Sequence, residues 1–138
     1  MKQVWIVDDD EEMIRAVQLM LRLLKHESRF FLGPRPAAQA MLAGDIPDLV
    51  ILDINMPEVS GLDMLEFLRR RKETKDLPVV MLSTEAADVQ IDRAIAMGAD
   101  AYVTKPVSID ELETAMQKAF KAHAKPFSET YTNLHRVD

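Results

Sequence analysis

The sequence has no cysteine, one tryptophan and four glycines, and aromatic residues make up only 6% of it. Without cysteine there is no disulfide framework, no thiolate nucleophile and no cysteine metal site. No uncharged apolar run reaches the ~20 residues of a helical membrane span. The apolar run in MKQVWIVDDD is too short for a secretory signal. Cations are also in the minority: 17 Lys and Arg stand against 23 Asp and Glu, a net charge of -6. That balance argues against a domain whose work is to grip nucleic acid phosphates. These absences lead us to expect a cytoplasmic protein with no direct nucleic acid or membrane partner, acting on a small molecule or another protein.

What is present suits one domain with a real core: 138 residues, 48% of them hydrophobic. Short apolar runs recur at VWIV (4–7), RFFL (29–32), DLVILD (48–53), PVVMLS (78–83) and AYVT (101–104), and read as strands. DLVILD and PVVMLS are apolar throughout rather than alternating, as strands covered by helices on both faces must be. Between the strands lie helical patterns. In the first, Met13, Ile14, Val17, Met20, Leu21 and Leu24 form one stripe; the others span 36–43, 61–72, 86–97 and 108–122. Gly98 reads as a helix end, and Ser108 with Glu111 as a capping box. The order is β-α five times over, which predicts a doubly wound α/β domain with a parallel sheet over 1–124. Pro126 is expected to end the last helix near Ala124, leaving 125–138 as a tail or linker carrying Phe127, Tyr131 and Leu134.

In such sheets, sites form beyond the carboxyl ends of the strands. Those ends carry Asp8 and Asp9 on strand 1, Asp53 on strand 3, Ser83 and Thr84 on strand 4, and Lys105 on strand 5. Two carboxylates about 4 Å apart repel by roughly 4 kcal/mol at an effective dielectric near 20. Three together therefore call for protons or a cation. With hard oxygen donors and no histidine or cysteine nearby, the cation expected is Mg²⁺, or Mn²⁺ in its place. Mg²⁺ keeps several waters and bridges readily to phosphoryl oxygens, so the reacting group is expected to be phosphate.

The segments VDDDEEM, LDINMPEVSGLDML, MLSTEA and MGADAYVTKPV, in this order and spacing, resemble the receiver domain of two-component response regulators, the CheY-like family. The resemblance covers residues 2 to about 122 and implies a flavodoxin-like five-stranded sheet in the order 2-1-3-4-5. By the same resemblance, Asp53 takes a phosphoryl group from a sensor histidine kinase or phosphotransfer protein. Asp8, Asp9, Asp53 and the backbone carbonyl of Asn55 hold the metal, and Lys105 pairs with the phosphoryl oxygens. Ser83 is the hydroxyl that moves onto the phosphoryl group, and Tyr102 the aromatic that follows it inward. The chain would then act as a switch rather than an enzyme, binding a downstream protein or its own dimer through helix 4, strand 5 and helix 5.

Simpler readings stand beside these. Met56-Pro57 and Gly61 read as loop architecture, with Gly61 at a backbone position that favours glycine. Tyr102 has two readings, a packing tyrosine or the switch. The run RRRK (69–72) reads as a solvated helix end where cations suit the dipole, and His26, His123 and His135 share no motif. Thr84 stands where the family usually has alanine or glycine. Together with Asn55 and Glu85 it is expected to set the lifetime of the phosphoryl group. The competing reading is an aspartate-nucleophile, Mg²⁺-dependent phosphohydrolase of the haloacid dehalogenase type. Its DxDx[TV] motif fails at Glu12, and no late acidic pair follows Lys105.

Overall fold

The computed structural model describes residues 1–124. Strands β1 (Gln3–Val7), β2 (Glu27–Phe31), β3 (Leu49–Asp53), β4 (Val79–Ser83) and β5 (Ala101–Thr104) alternate with helices α1 (Glu11–Leu23), α2 (Pro34–Leu42), α3 (Gly61–Arg70), α4 (Asp88–Ala96) and α5 (Ile109–His123). All strand pairs are parallel and the order is β2-β1-β3-β4-β5, as the resemblance implied. The tail, with its three apolar residues, lies outside the described residues.

Why the central strands are wholly apolar is now visible. Every residue of β3 and β4 is buried, and successive side chains enter two separate cores. Val50, Leu52, Val79 and Met81 pack with the α2–α4 layer, while Leu49, Ile51, Val80 and Leu82 pack with α1 and α5. β2 lies at the edge and is correspondingly exposed except at Phe31. It is anchored from the side by Trp5, whose ring lies 4.8 Å from that of Phe31, with the Arg29 guanidinium over both.

The helix ends differ in detail from the sequence reading. α2 starts at Pro34, two residues early, because prolines cost nothing in a first turn whose N–H groups lack partners. The reciprocal capping box is not at Ser108, where the Glu111 carboxylate accepts from the Ser108 hydroxyl itself rather than from the backbone. It is at Ser60 and Asp63, opening α3 just after the third strand.

The chain runs from β1 outward to β2, then returns past β1 to β3, β4 and β5. The reversal leaves a crevice at the carboxyl ends of β1 and β3. That is where Asp8 and Asp53 stand.

Candidate functional site

Asp8 directly follows β1 and Asp53 is the last residue of β3; both are buried, at 0% and 2% exposure. Asp9 is exposed beside them, and one carboxylate oxygen from each of the three lies within 4.8 Å of the others. Lys105 reaches in from the end of β5, where its backbone N–H donates to the Ser83 carbonyl. Its Nζ stands 3.1 Å from Asp8 Oδ2 and 3.2 Å from Asp53 Oδ1. Asp10, the third carboxylate of the run, caps α1 by accepting from the N–H groups of Glu12 and Met13, and Glu11 and Glu12 fill the first helical turn. The acidic stretch is therefore split between the crevice and a helix terminus, where negative charge is favourable.

The charge in the crevice is not balanced. Asp8 Oδ1 accepts the Asp10 N–H, while Oδ2 is buried with no hydrogen bond of good geometry and only the Lys105 ammonium, at 3.1 Å, beside it. Burial, followed by the Asp8 charge, raises the Asp53 pKa from 3.8 to about 6 in spite of Lys105. Burial also opposes the Lys105 charge, but the two carboxylates outweigh it and hold its pKa above the usual lysine value. One ammonium against three carboxylates, with an orphaned oxygen aimed into the crevice, fits a divalent cation held by oxygen donors.

β3 is fixed in place by Gly61. A Cβ there would fall 2.0 Å from the Asp53 carbonyl oxygen and 2.8 Å from Ile54 Cα, and the Gly61 N–H donates to the Ile54 carbonyl at 2.8 Å. Gly61, a backbone position that favours glycine, is required for close approach; the positive φ in this loop belongs to Glu58. The first turn of α3 is thereby pressed against the backbone that carries Asp53.

Ser83 is buried at the end of β4, its Oγ accepting the Glu85 N–H at 3.0 Å. Tyr102 is half-buried on β5, packs against the α2–α4 core and donates its hydroxyl to the Glu85 carbonyl at 2.9 Å. The two residues proposed to switch together therefore meet at one residue, Glu85, through its N–H and its carbonyl, a backbone role that no sequence motif reveals. Thr84, between them in sequence, is exposed.

A second charged cluster, built around one carboxylate, was missed altogether. Arg69 is no solvated helix end: its side chain is 15% exposed and spans the amino edge of the sheet, donating to the carbonyls of Leu77, Gly98, Thr74 and Lys75 and to Asp100. Asp100 also accepts the Val79 N–H at 2.8 Å and sits 2.8 Å from His123 Nε2 at the end of α5. Residues 69, 100 and 123 have no common sequence pattern, so only the fold brings them together.

The model of the response regulator receiver domain matches residues 4–117 of this chain. The phosphate regulon transcriptional regulatory protein PhoB of Rhizobium meliloti is 36% identical over 90% of this chain, which spans 54% of that relative. The chemotaxis protein CheY-3 of Vibrio cholerae is 34% identical over 86% of this chain and 92% of its own length. Among solved structures, a putative response regulator from Chloroflexus aurantiacus superposes with a TM-score of 0.82 at 27% identity, covering 87% of this chain and 98% of that one. Vibrio cholerae CheY4 gives a TM-score of 0.76 at 28% identity, over 86% of this chain and 98% of that one.

Proposed function

Because the chain belongs to the receiver domain family of two-component response regulators, a family of signalling switches, we propose that Asp53 accepts a phosphoryl group and that Ser83 and Tyr102 transmit its arrival. The observation that carries this reading is the position of Asp53. It is buried at the point where the strand order reverses, flanked by an orphaned Asp8 oxygen and 3.2 Å from the Lys105 ammonium.

Asp8, Asp9, Asp53 and the Asn55 carbonyl would hold Mg²⁺, or Mn²⁺, which supplies neutralisation of the charge on the transferring oxygens. Asp53 is the nucleophile. With its pKa at about 6 it is mostly ionised at neutral pH and needs no general base. One of its oxygens forms the new bond to phosphorus as the bond from phosphorus to the donor's imidazole nitrogen breaks, and that nitrogen keeps the electron pair. Lys105 is already within ion-pair distance of Asp53 and follows the charge onto the phosphoryl oxygens. Ser83 then exchanges the Glu85 N–H for a charge-assisted hydrogen bond to the new acceptor. Releasing Glu85 frees the carbonyl that holds Tyr102 outward, so the side chain can turn in and reshape the face of α4, β5 and α5 toward a downstream protein or a second copy.

The donor is a sensor histidine kinase or phosphotransfer protein, and such an exchange takes place in the cytoplasm. Thr84 stands at the exposed rim, positioned to slow water or donor entry and so lengthen the aspartyl-phosphate lifetime. Labelling with acetyl phosphate and Mg²⁺ tests the site. Label is expected on the native protein and absent from Asp53→Asn; label that survives in Asp53→Asn but is lost in Asp8→Asn would mark a hydrolase nucleophile on β1 instead.

A further inference from the structure

Helix α1 has two apolar faces, of which the fold uses one. Ile14, Val17 and Leu21 enter the core. On the opposite side Ala16, Leu19 and Leu23, at i, i+3 and i+7, point to solvent, with Leu19 56% and Leu23 65% exposed. Leucines on one outward stripe, three to four residues apart, are the pattern by which one helix lays itself along another.

The charges say which helix. α1 is acidic at its start, with Glu11 and Glu12, and basic at its end, with Arg22 and then Lys25. Among the described residues none of these four takes part in an ion pair. Arg15, midway, is turned along its own helix toward the Glu11 carbonyl at 3.4 Å. A parallel copy would stack like charges at both ends. An antiparallel copy sets Glu11 and Glu12 of each helix against Arg22 and Lys25 of the other, opposes the two helix dipoles, and lays Leu19 of each helix against Ala16 and Leu19 of the other about a two-fold axis, with Leu23 at the outer end of the seam.

We propose that the outward face of α1 pairs with the same face of a second copy of this chain, antiparallel, through Ala16, Leu19 and Leu23. This needs no phosphoryl group, so it stands or falls apart from the reading of Asp53. A single helix pair falls below the roughly 1,200 Å² of a standard interface, so the association is weak, with a Kd on the order of 100 µM. Its end charges make it salt-sensitive.

Sedimentation velocity of the full chain without phosphodonor, from about 10 µM to about 1 mM, reads it directly. The weight-average mass is expected to climb toward that of a dimer, and less steeply in high salt. Leu19→Glu with Leu23→Glu should hold the protein monomeric with an unchanged circular dichroism spectrum, since both side chains are exposed. Glu11→Lys with Glu12→Lys, and separately Arg22→Glu with Lys25→Glu, should each abolish self-association, and mixing the two variants should restore a dimer. A native protein that stays monomeric throughout, a dimer indifferent to the leucine substitutions, or a mixture that fails to pair would each overturn the proposal. So would a histidine kinase that competes for the leucines while the free protein remains monomeric.

Discussion

The two edges of the sheet each set carboxylate chemistry beside a long cation, one carboxylate at the amino edge and three at the carboxyl edge, and they treat it in opposite ways. At the amino edge Asp100 has partners for both oxygens: Arg69, the Val79 N–H and His123. At the carboxyl edge Asp53 and Asp8 share one lysine, which is all that the buried Asp8 Oδ2 has beside it. The chemistry of the side chains is the same, so the difference lies in completion. A satisfied carboxylate is a clamp that gains nothing from a further ligand. An under-satisfied one holds unfavourable charge that a cation relieves.

The contrast predicts effects of opposite sign. Asp100→Ala strands a buried guanidinium and the Val79 N–H, and is expected to cost about 3–5 kcal/mol in urea unfolding. A loss below about 1 kcal/mol would show that the amino edge is no clamp.

The pH dependence of metal-free stability comes next in size. The folded pKa of Asp53 lies above its unfolded value, so between pH 4 and 6 the folded protein binds the extra proton, and stability falls as pH rises through that window. A shift from 3.8 to about 6 sets the fall at up to ~3 kcal/mol, after which Asp53 contributes no further slope. Unfolding curves at several pH values should show it, and Mg²⁺ should flatten it.

Smallest is Asp53→Asn, which removes one of the crowded charges. It is expected to stabilise the metal-free protein at pH 7 by on the order of 1 kcal/mol, while abolishing phosphorylation. Destabilisation by the same substitution would mean that the Lys105 ion pair outweighs burial and Asp8 together.

The fold could be read from the chain because buried parallel strands leave no choice of side chain: LVILD and VVMLS can only be strands covered on both faces. The carboxyl edge was legible for a related reason, since Asp8, Asp53 and Lys105 each stand one step from the end of an apolar run. The amino edge had no such signal. Arg69 sits in an arginine run that looks solvated; its carboxylate partner Asp100 lies 31 positions away, and the histidine that completes the cluster a further 23. Gly61 was legible as a position that favours glycine but not why, because nothing in a sequence distinguishes a glycine needed for its backbone angle from one needed for its lack of a Cβ.

The backbone of Glu85 has a consequence for how this chain tolerates change. Both of its tethers, the N–H to Ser83 and the carbonyl to Tyr102, belong to the backbone. Nearly any side chain can therefore occupy position 85 without breaking the link between the two strands. Proline is the exception, because it has no N–H to give. A residue can thus be mechanically central while the link it makes is, across almost every substitution, indifferent to its side chain.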